Sequence, residues 1–98
     1  AVTQGIVLQA RPLEPGHETE IKVGYTASRK VGGSVQRNRA RRRLRAVVHD
    51  LLNAMARPGH EFVLIARANT LTRSYDGLLS DLKRALAKVD ALKQEART

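Results

Sequence analysis

Between residues 21 and 49 the chain carries nine basic side chains and no acidic one: Lys22, Arg29, Lys30, Arg37, Arg39, Arg41, Arg42, Arg43 and Arg45. Charged groups are too costly to bury without partners, so a fold of this chain must expose the segment or set it against an external polyanion. Nine basic and nine acidic residues balance across the remainder, which places the whole net charge of +9 inside this window. A solvated surface helix usually mixes signs, so a run of one sign reads as the footprint of a polyanion. Arginine dominates the run, and its planar fork suits bidentate phosphate contact and stacking on bases. Nucleic acid is therefore favoured over a membrane surface. A basic membrane helix also needs bulky exposed apolar residues beside its charges, and this face has none.

The other 69 residues set the scale of the fold. A chain of 98 residues suits one domain. Hydrophobic residues make up 42% of it with only one Phe, two Tyr and no Trp, so Leu, Ile and Val must fill the core. The absence of cysteine excludes a disulfide scaffold, a thiolate zinc module and a thiol enzyme. No apolar run approaches the roughly 20 residues of a membrane span and no signal peptide opens the chain. A cytoplasmic protein with no membrane contact is expected.

Residues 2–11 and 20–28 read as strands, separated by a loop rich in Pro, Gly and acids. In the second strand Ile21, Val23, Tyr25 and Ala27 alternate with Lys22, Gly24, Thr26 and Ser28, predicting one covered and one open sheet face. The pair Gly32-Gly33 breaks the strand, and Ser34 is the expected N-cap. A helix follows over 34–57. Its apolar positions Ala40, Leu44, Val47, Val48, Leu51, Leu52 and Met55 recur at helical spacing, while Asn38, Arg42, Arg45 and His49 line the opposite side. The helix should be anchored by its second half and present arginines from its first. Residues 61–67 form an apolar third strand, expected to be central. A turn over 69–73 leads to a last helix reaching about residue 95, capped by Ser74 or Thr72, with Leu78, Leu79, Leu82, Leu86, Val89 and Leu92 inward. The order is ββαβα, an α+β two-layer sandwich with a small mixed sheet, forming one nucleic-acid-binding domain over 1–98.

Hydrolytic chemistry finds no foothold in these residues. His17, His49 and His60 lack metal-ligand spacing, no serine sits in a nucleophile elbow, and no pair of carboxylates marks a site. Gly32-Gly33 lacks the Lys-Ser/Thr of a phosphate-binding loop, so a tight turn and direct phosphate contact stand as equal readings. Tyr25 falls on the apolar strand face, which favours core packing over base stacking. Arg43 lies at the flank of the buried stripe, along the sheet edge. Arg67 and Arg73 either extend the basic surface or pair with nearby acids.

The run Arg37-Asn38-Arg39-Ala40-Arg41-Arg42-Arg43-Leu44-Arg45 resembles the RNR signature of the protein subunit of bacterial ribonuclease P. Gly24-Tyr25-Thr26-Ala27-Ser28-Arg29-Lys30-Val31-Gly32 is similar to that family's lead-in, and Phe62-Val63-Leu64-Ile65-Ala66-Arg67 with Ser74-Tyr75 to its later strand and last helix. The resemblance covers nearly the whole chain. It implies a ribosomal-protein-like fold with a left-handed crossover, where strand physics alone defaults to a right-handed one. It also implies a non-catalytic protein cofactor of the endonuclease that releases the 5′ leader of precursor tRNA, with no catalytic residue in this chain. The implied partners are ribonuclease P RNA and precursor tRNA, with no protein partner required. Mg²⁺ would be held mainly by the RNA and by no protein metal site.

By the same resemblance, Arg29, Lys30, Arg37, Asn38, Arg39, Arg41, Arg42 and Arg45 contact RNA. Gln9, Thr26, Asn38, Arg41 and Arg45 line a cleft for the leader. The family's usual opening helix, whose Phe residues wall that cleft, has no counterpart here, and Gln9 stands where the family often has an aromatic. A purely structural RNA-binding protein, such as a ribosomal component, is the alternative. A DNA-binding helix is a third reading, without the second short helix of a helix-turn-helix.

Overall fold

The computed structural model describes residues 1–89. Its elements run β1 (Ile6–Pro12), β2 (Ile21–Thr26), α1 (Ser34–Val47), a wide π-helical turn (Val48–Leu52), α2 (Asn53–Met55), β3 (His60–Ala66), α3 (Ala68–Thr72) and α4 (Tyr75–Lys88). Strand β3 is central, antiparallel to β1 and parallel to β2. Its apolar character on both faces is what a middle strand requires.

Register sorts the strand residues into two faces, because side chains alternate along a strand. Ile6 pairs with Ala66 and Leu8 with Leu64, while Val23 pairs with Phe62 and Tyr25 with Leu64. This face meets the helices. Ile6, Leu8, Phe62 and Leu64 are fully buried there with Ala40, Leu44 and Val47 of α1 and Leu78, Leu82 and Leu86 of α4. The other face carries Val7, Gln9 and Arg11 on β1, Glu61, Val63 and Ile65 on β3, and Lys22, Gly24 and Thr26 on β2. Among the described residues no helix packs on it. The covered and open faces expected from the β2 alternation are both present.

Local boundaries differ from the sequence reading in several places. The first strand starts at Ile6 rather than at residue 2, because Thr3 N–H bonds to the Ile6 carbonyl at 2.9 Å and closes a turn. Gly5 sits in that turn against α4, where an added Cβ would lie 2.7 Å from Leu78 Cδ2. Gly33, not Ser34, holds the cap position of α1, and no side chain caps the helix there. The stretch expected as a turn over 69–73 is helix α3. The Thr70 hydroxyl both accepts from Arg67 N–H and donates to the Gly5 carbonyl, a tertiary bond that stabilises this helical turn.

The long helix ends at Met55 instead of residue 57 and passes through the π-helical turn. Leu44, Val48, Leu52 and Ala56 are buried at intervals of four. On a regular α-helix such spacing drifts about 40° per step. A turn with i→i+5 bonding is wider and keeps Val48 and Leu52 facing the core. The last helix is capped as expected by Ser74, whose Oγ accepts from Gly77 N–H at 3.0 Å. Leu92 and the helix end at residue 95 lie outside the described residues.

Candidate nucleic-acid interface

Helix α1 breaks two local rules. Its first turn has no acidic residue, although acids stabilise the positive end of a helix dipole. Its arginines also stack at like-charged i,i+4 spacing: Arg37 with Arg41, Arg41 with Arg45, and Arg39 with Arg43. At about 0.2–0.5 kcal/mol per pair, these repulsions cost roughly 1 kcal/mol together. Burial of Leu44 and Val47, both 0% exposed, returns about 1.5–3 kcal/mol each. Packing thus holds in place a helix whose own charges oppose it. Such a conflict between levels marks a functional segment.

The lead-in to α1 is a turn. Val31 N–H bonds to the Ser28 carbonyl at 3.0 Å and Gly32 N–H to the Arg29 carbonyl at 3.1 Å, while Val31 is buried. Gly32 has φ +144°, and a Cβ there would lie 2.8 Å from Gln36 Cβ. The conformational need for glycine is therefore met by the turn itself. Arg29 and Lys30 are exposed on this turn beside the start of α1.

Around α1 the arginines divide into three groups at 100° per residue. Arg37, Arg41 and Arg45 lie on the flank toward β2. Arg45 crosses the ring of half-buried Tyr25, with its guanidinium carbon 5.2 Å from the centroid. Burial raises the Tyr25 phenol pKa, and the Arg45 charge acts against that rise. Arg41 Nη1 donates to Asn38 Oδ1 at 3.0 Å, and Arg37 Nη2 donates to Ser34 Oγ at 3.3 Å. The Arg37 Nε–H is buried without a partner. Arg42 and Asn38 occupy the crest, both exposed. Arg39 and Arg43 take the flank toward α3 and α4.

Arg43 is not a surface charge. Its guanidinium donates to the carbonyls of Thr70 at 3.0 Å, Leu71 at 2.8 Å and Arg73 at 2.6 Å. It thereby caps the C-terminal end of α3, and the sheet edge expected for it is not its location. Beyond it, Arg73 forms a two-pronged bond to Asp81, Nε to Oδ2 at 2.7 Å and Nη2 to Oδ1 at 3.1 Å. The carboxylate of Asp81, 1% exposed, also accepts from Gly5 N–H at 3.0 Å. This bonding raises the Arg73 pKa, the hydrogen bond to Asp81 being the main cause. Arg67 donates to the Thr3 carbonyl. Both outlying arginines are thus engaged within the chain.

The residues expected to line a leader cleft do not all share one surface. Gln9 and Thr26 lie on the open sheet face, on opposite edge strands and offset along them, since Gln9 pairs with Val63 while Thr26 pairs with Ile65. Arg45 rests on Tyr25, which points to the other face, so it borders the β2 edge from the helix side. Val7, Val63 and Ile65 give the open face an aliphatic centre. At its far end Arg11 and Glu61 pair at 2.6 Å.

The histidines are dispersed. His17 pairs with Glu20 and His49 adjoins Asp50, while His60 Nδ1 lies 3.0 Å from the Pro58 carbonyl. Among the described residues no group of three or more His, Asp or Glu could hold a metal ion. No described helix is long and apolar enough to cross a membrane.

Sequence reasoning missed one feature, a groove of about 370 Å³ between α1 and the start of α4, lined by Arg39, Arg42, Arg43, Ala46 and Tyr75. Helical spacing placed Arg39, Arg42 and Ala46 together, but nothing in the pattern brings Tyr75 beside them.

Comparison with known proteins matches this architecture to one family. The family model described as Ribonuclease P matches residues 1–90. The ribonuclease P protein component of Ruegeria pomeroyi is 49% identical over 89 residues, covering 90% of this chain and 71% of that protein. The component from Caulobacter vibrioides is 42% identical over 91 residues, covering 93% of this chain and 61% of that one. Among solved structures, the RNase P protein of Staphylococcus aureus superposes with a TM-score of 0.73 at 16% identity, over 95% of this chain and 82% of that chain. The RNase P protein from Thermotoga maritima gives the same TM-score at 20% identity, over 90% and 80%. These two likenesses show the fold. The family model and the relatives' identity together place the chain in the ribonuclease P protein family.

Proposed function

We propose that this chain is the RNA-binding protein cofactor of a ribonuclease P holoenzyme in the cytoplasm. It binds the catalytic RNA through the arginine helix and the leader of precursor tRNA along the open sheet face, and so supports 5′ maturation. The observation that carries the reading is the state of Arg39 and Arg42. Both are exposed and neither has a hydrogen-bond or ion-pair partner among the described residues, on a helix that burial holds against its own repulsion. Guanidiniums kept unpaired at such a cost are ready for phosphates, whose neutralisation releases counterions.

Arg29, Lys30, Arg37, Asn38, Arg41 and Arg45 extend that contact, and Gln9 and Thr26 flank the strand path across the aliphatic centre of the open face. Mg²⁺ is assigned to RNA phosphates and waters. The test is reconstitution with a bacterial ribonuclease P RNA on precursor tRNA at low Mg²⁺, with RNA alone and protein alone as controls. Rescue of 5′ cleavage by the pair, with none from protein alone, is the expected result. Tight RNA binding without rescue would overturn the cofactor role in favour of a structural RNA-binding protein. Replacing Arg37 and Arg39 together by Ala should lower the salt slope of RNA binding by roughly two units at most.

A further inference from the structure

The groove between α1 and α4 combines three features that the arginine face alone does not. Its wall on α1 presents Arg39 and Arg42, which have no partner among the described residues. Its other wall is Tyr75, a half-buried ring on the first turn of α4. On the same α1 wall, between the two arginines at helical spacing, lies Ala46, small and exposed. The third arginine, Arg43, is spent on the carbonyls of α3 and serves as fixed framing.

Tyr75 is also held. Its hydroxyl donates to Asp50 Oδ2, on the π-helical turn that follows α1. That bond lowers the Asp50 pKa and raises the Tyr75 pKa. The polar end of the ring is therefore occupied by Asp50, while Tyr75 lines the groove. Of the acids nearby in the fold, Asp50 is engaged by that hydroxyl and Asp76 is exposed on the first turn of α4. A groove of about 370 Å³ lies at the small end of ligand-sized hollows, about 300–1,000 Å³, a size suited to a single nucleotide.

We propose that this groove receives one unpaired nucleotide of the bound RNA, its base on the Tyr75 ring and its flanking phosphates on Arg39 and Arg42. This assignment rests on the RNA-binding reading and adds to it a second, shape-selective contact on the flank of α1 away from β2. The chemistry fits RNA recognition, in which splayed bases stack on aromatic side chains and arginine planes. An aromatic ring held across the groove from two unpaired guanidiniums selects a base joined to phosphates, whereas a duplex backbone would use the arginines alone.

The test uses the full chain and three labelled hairpin RNAs: one with a single-nucleotide bulge, one fully paired, and one whose bulge is abasic. Wild type should bind the bulged hairpin about tenfold more tightly than either other, in keeping with the stacking of one base. Tyr75→Ala should bring that ratio close to one. Ala46→Leu fills the groove from an exposed helix position without altering charge, and should do the same even if Tyr75→Ala fails to fold. Equal wild-type binding of all three hairpins, or an unchanged ratio in Ala46→Leu, overturns the groove and leaves RNA binding standing. Displacement of the bulged hairpin by adenosine monophosphate alone overturns the assignment to a nucleotide carried in a strand. Failure of wild type to bind any of the three overturns the RNA-binding reading and the groove with it.

Discussion

Arg42 and Arg43 are adjacent on one helix and have opposite fates. Arg42 stands exposed on the crest of α1 without a partner among the described residues. Arg43 turns 100° away and donates to three carbonyls at the end of α3. One arginine is available to a ligand, and the other is part of the scaffold that presents it. The difference teaches that a basic run is not a uniform surface. Within it, hydrogen-bond demand across the fold decides which charges belong to function. The scaffold side extends further, from Arg43 to α3, from Arg73 to Asp81, and from Asp81 to Gly5 at the head of β1.

The strongest way to break this division is at Asp81. Asp81→Ala leaves Arg73 without its carboxylate and Gly5 N–H without an acceptor, so unfolding by denaturant should show a loss of about 3–5 kcal/mol. A loss under about 1 kcal/mol would mean that the buried network contributes little. Arg43→Met keeps the aliphatic stem but removes every bond to the α3 carbonyls, at an expected cost of about 2–3 kcal/mol. At a temperature where the variant stays folded, the salt slope of its RNA binding should match wild type. A flatter slope would place Arg43 at the phosphate interface.

Arg42→Ala tests the other side of the comparison. Stability should stay within about 0.5 kcal/mol of wild type, while the salt slope falls by roughly one unit. A stability loss with an unchanged slope would exchange the roles of the two arginines.

The smallest effect concerns the link between Tyr75 and Asp50, which needs a neutral phenol and an ionised carboxylate. Asp50 has a lowered pKa because of the Tyr75 hydrogen bond first and His49 second. Its contribution is present above the ordinary carboxylate pKa and is lost as pH falls through the lowered folded value. Tyr75 has a raised pKa because of the bond to Asp50. Its contribution is present below the ordinary phenol pKa and is lost as pH rises through the raised value. The link should therefore persist through the neutral range and open at both extremes. Tyr75→Phe should move the Asp50 titration, followed by the NMR shift of its carboxyl carbon, back toward the usual range. An unmoved titration would show that the link is not formed in solution.

Much of this was legible before any coordinates. Alternation in β2 predicted a covered and an open face, and the four-and-three spacing from Ala40 to Leu52 predicted which side of α1 is buried. The apolar run from Phe62 to Ala66 predicted a central strand. The RNR element, read with its flanks, led to the family. Helix α3 was not legible, because its turn is stabilised by Thr70 bonding back to Gly5, 65 residues away. Nor was the π-helical turn, which reconciles four-residue spacing with a fixed core direction. Alternation places Gln9 and Thr26 on the open face and helical spacing places Arg45 on α1, but neither pattern shows that the β2 edge lies between Arg45 and Thr26.

What the sequence determined by itself is periodic and local: element types, buried faces, and the concentration of positive charge on one helix. These follow from rotation per residue and from the cost of burying charge, neither of which needs a distant partner. Only the tertiary structure decided which arginines are free. A guanidinium is claimed by whichever carbonyls or carboxylates the fold carries to it. For Arg43 those carbonyls lie 27 to 30 residues along the chain, a distance that no local pattern encodes.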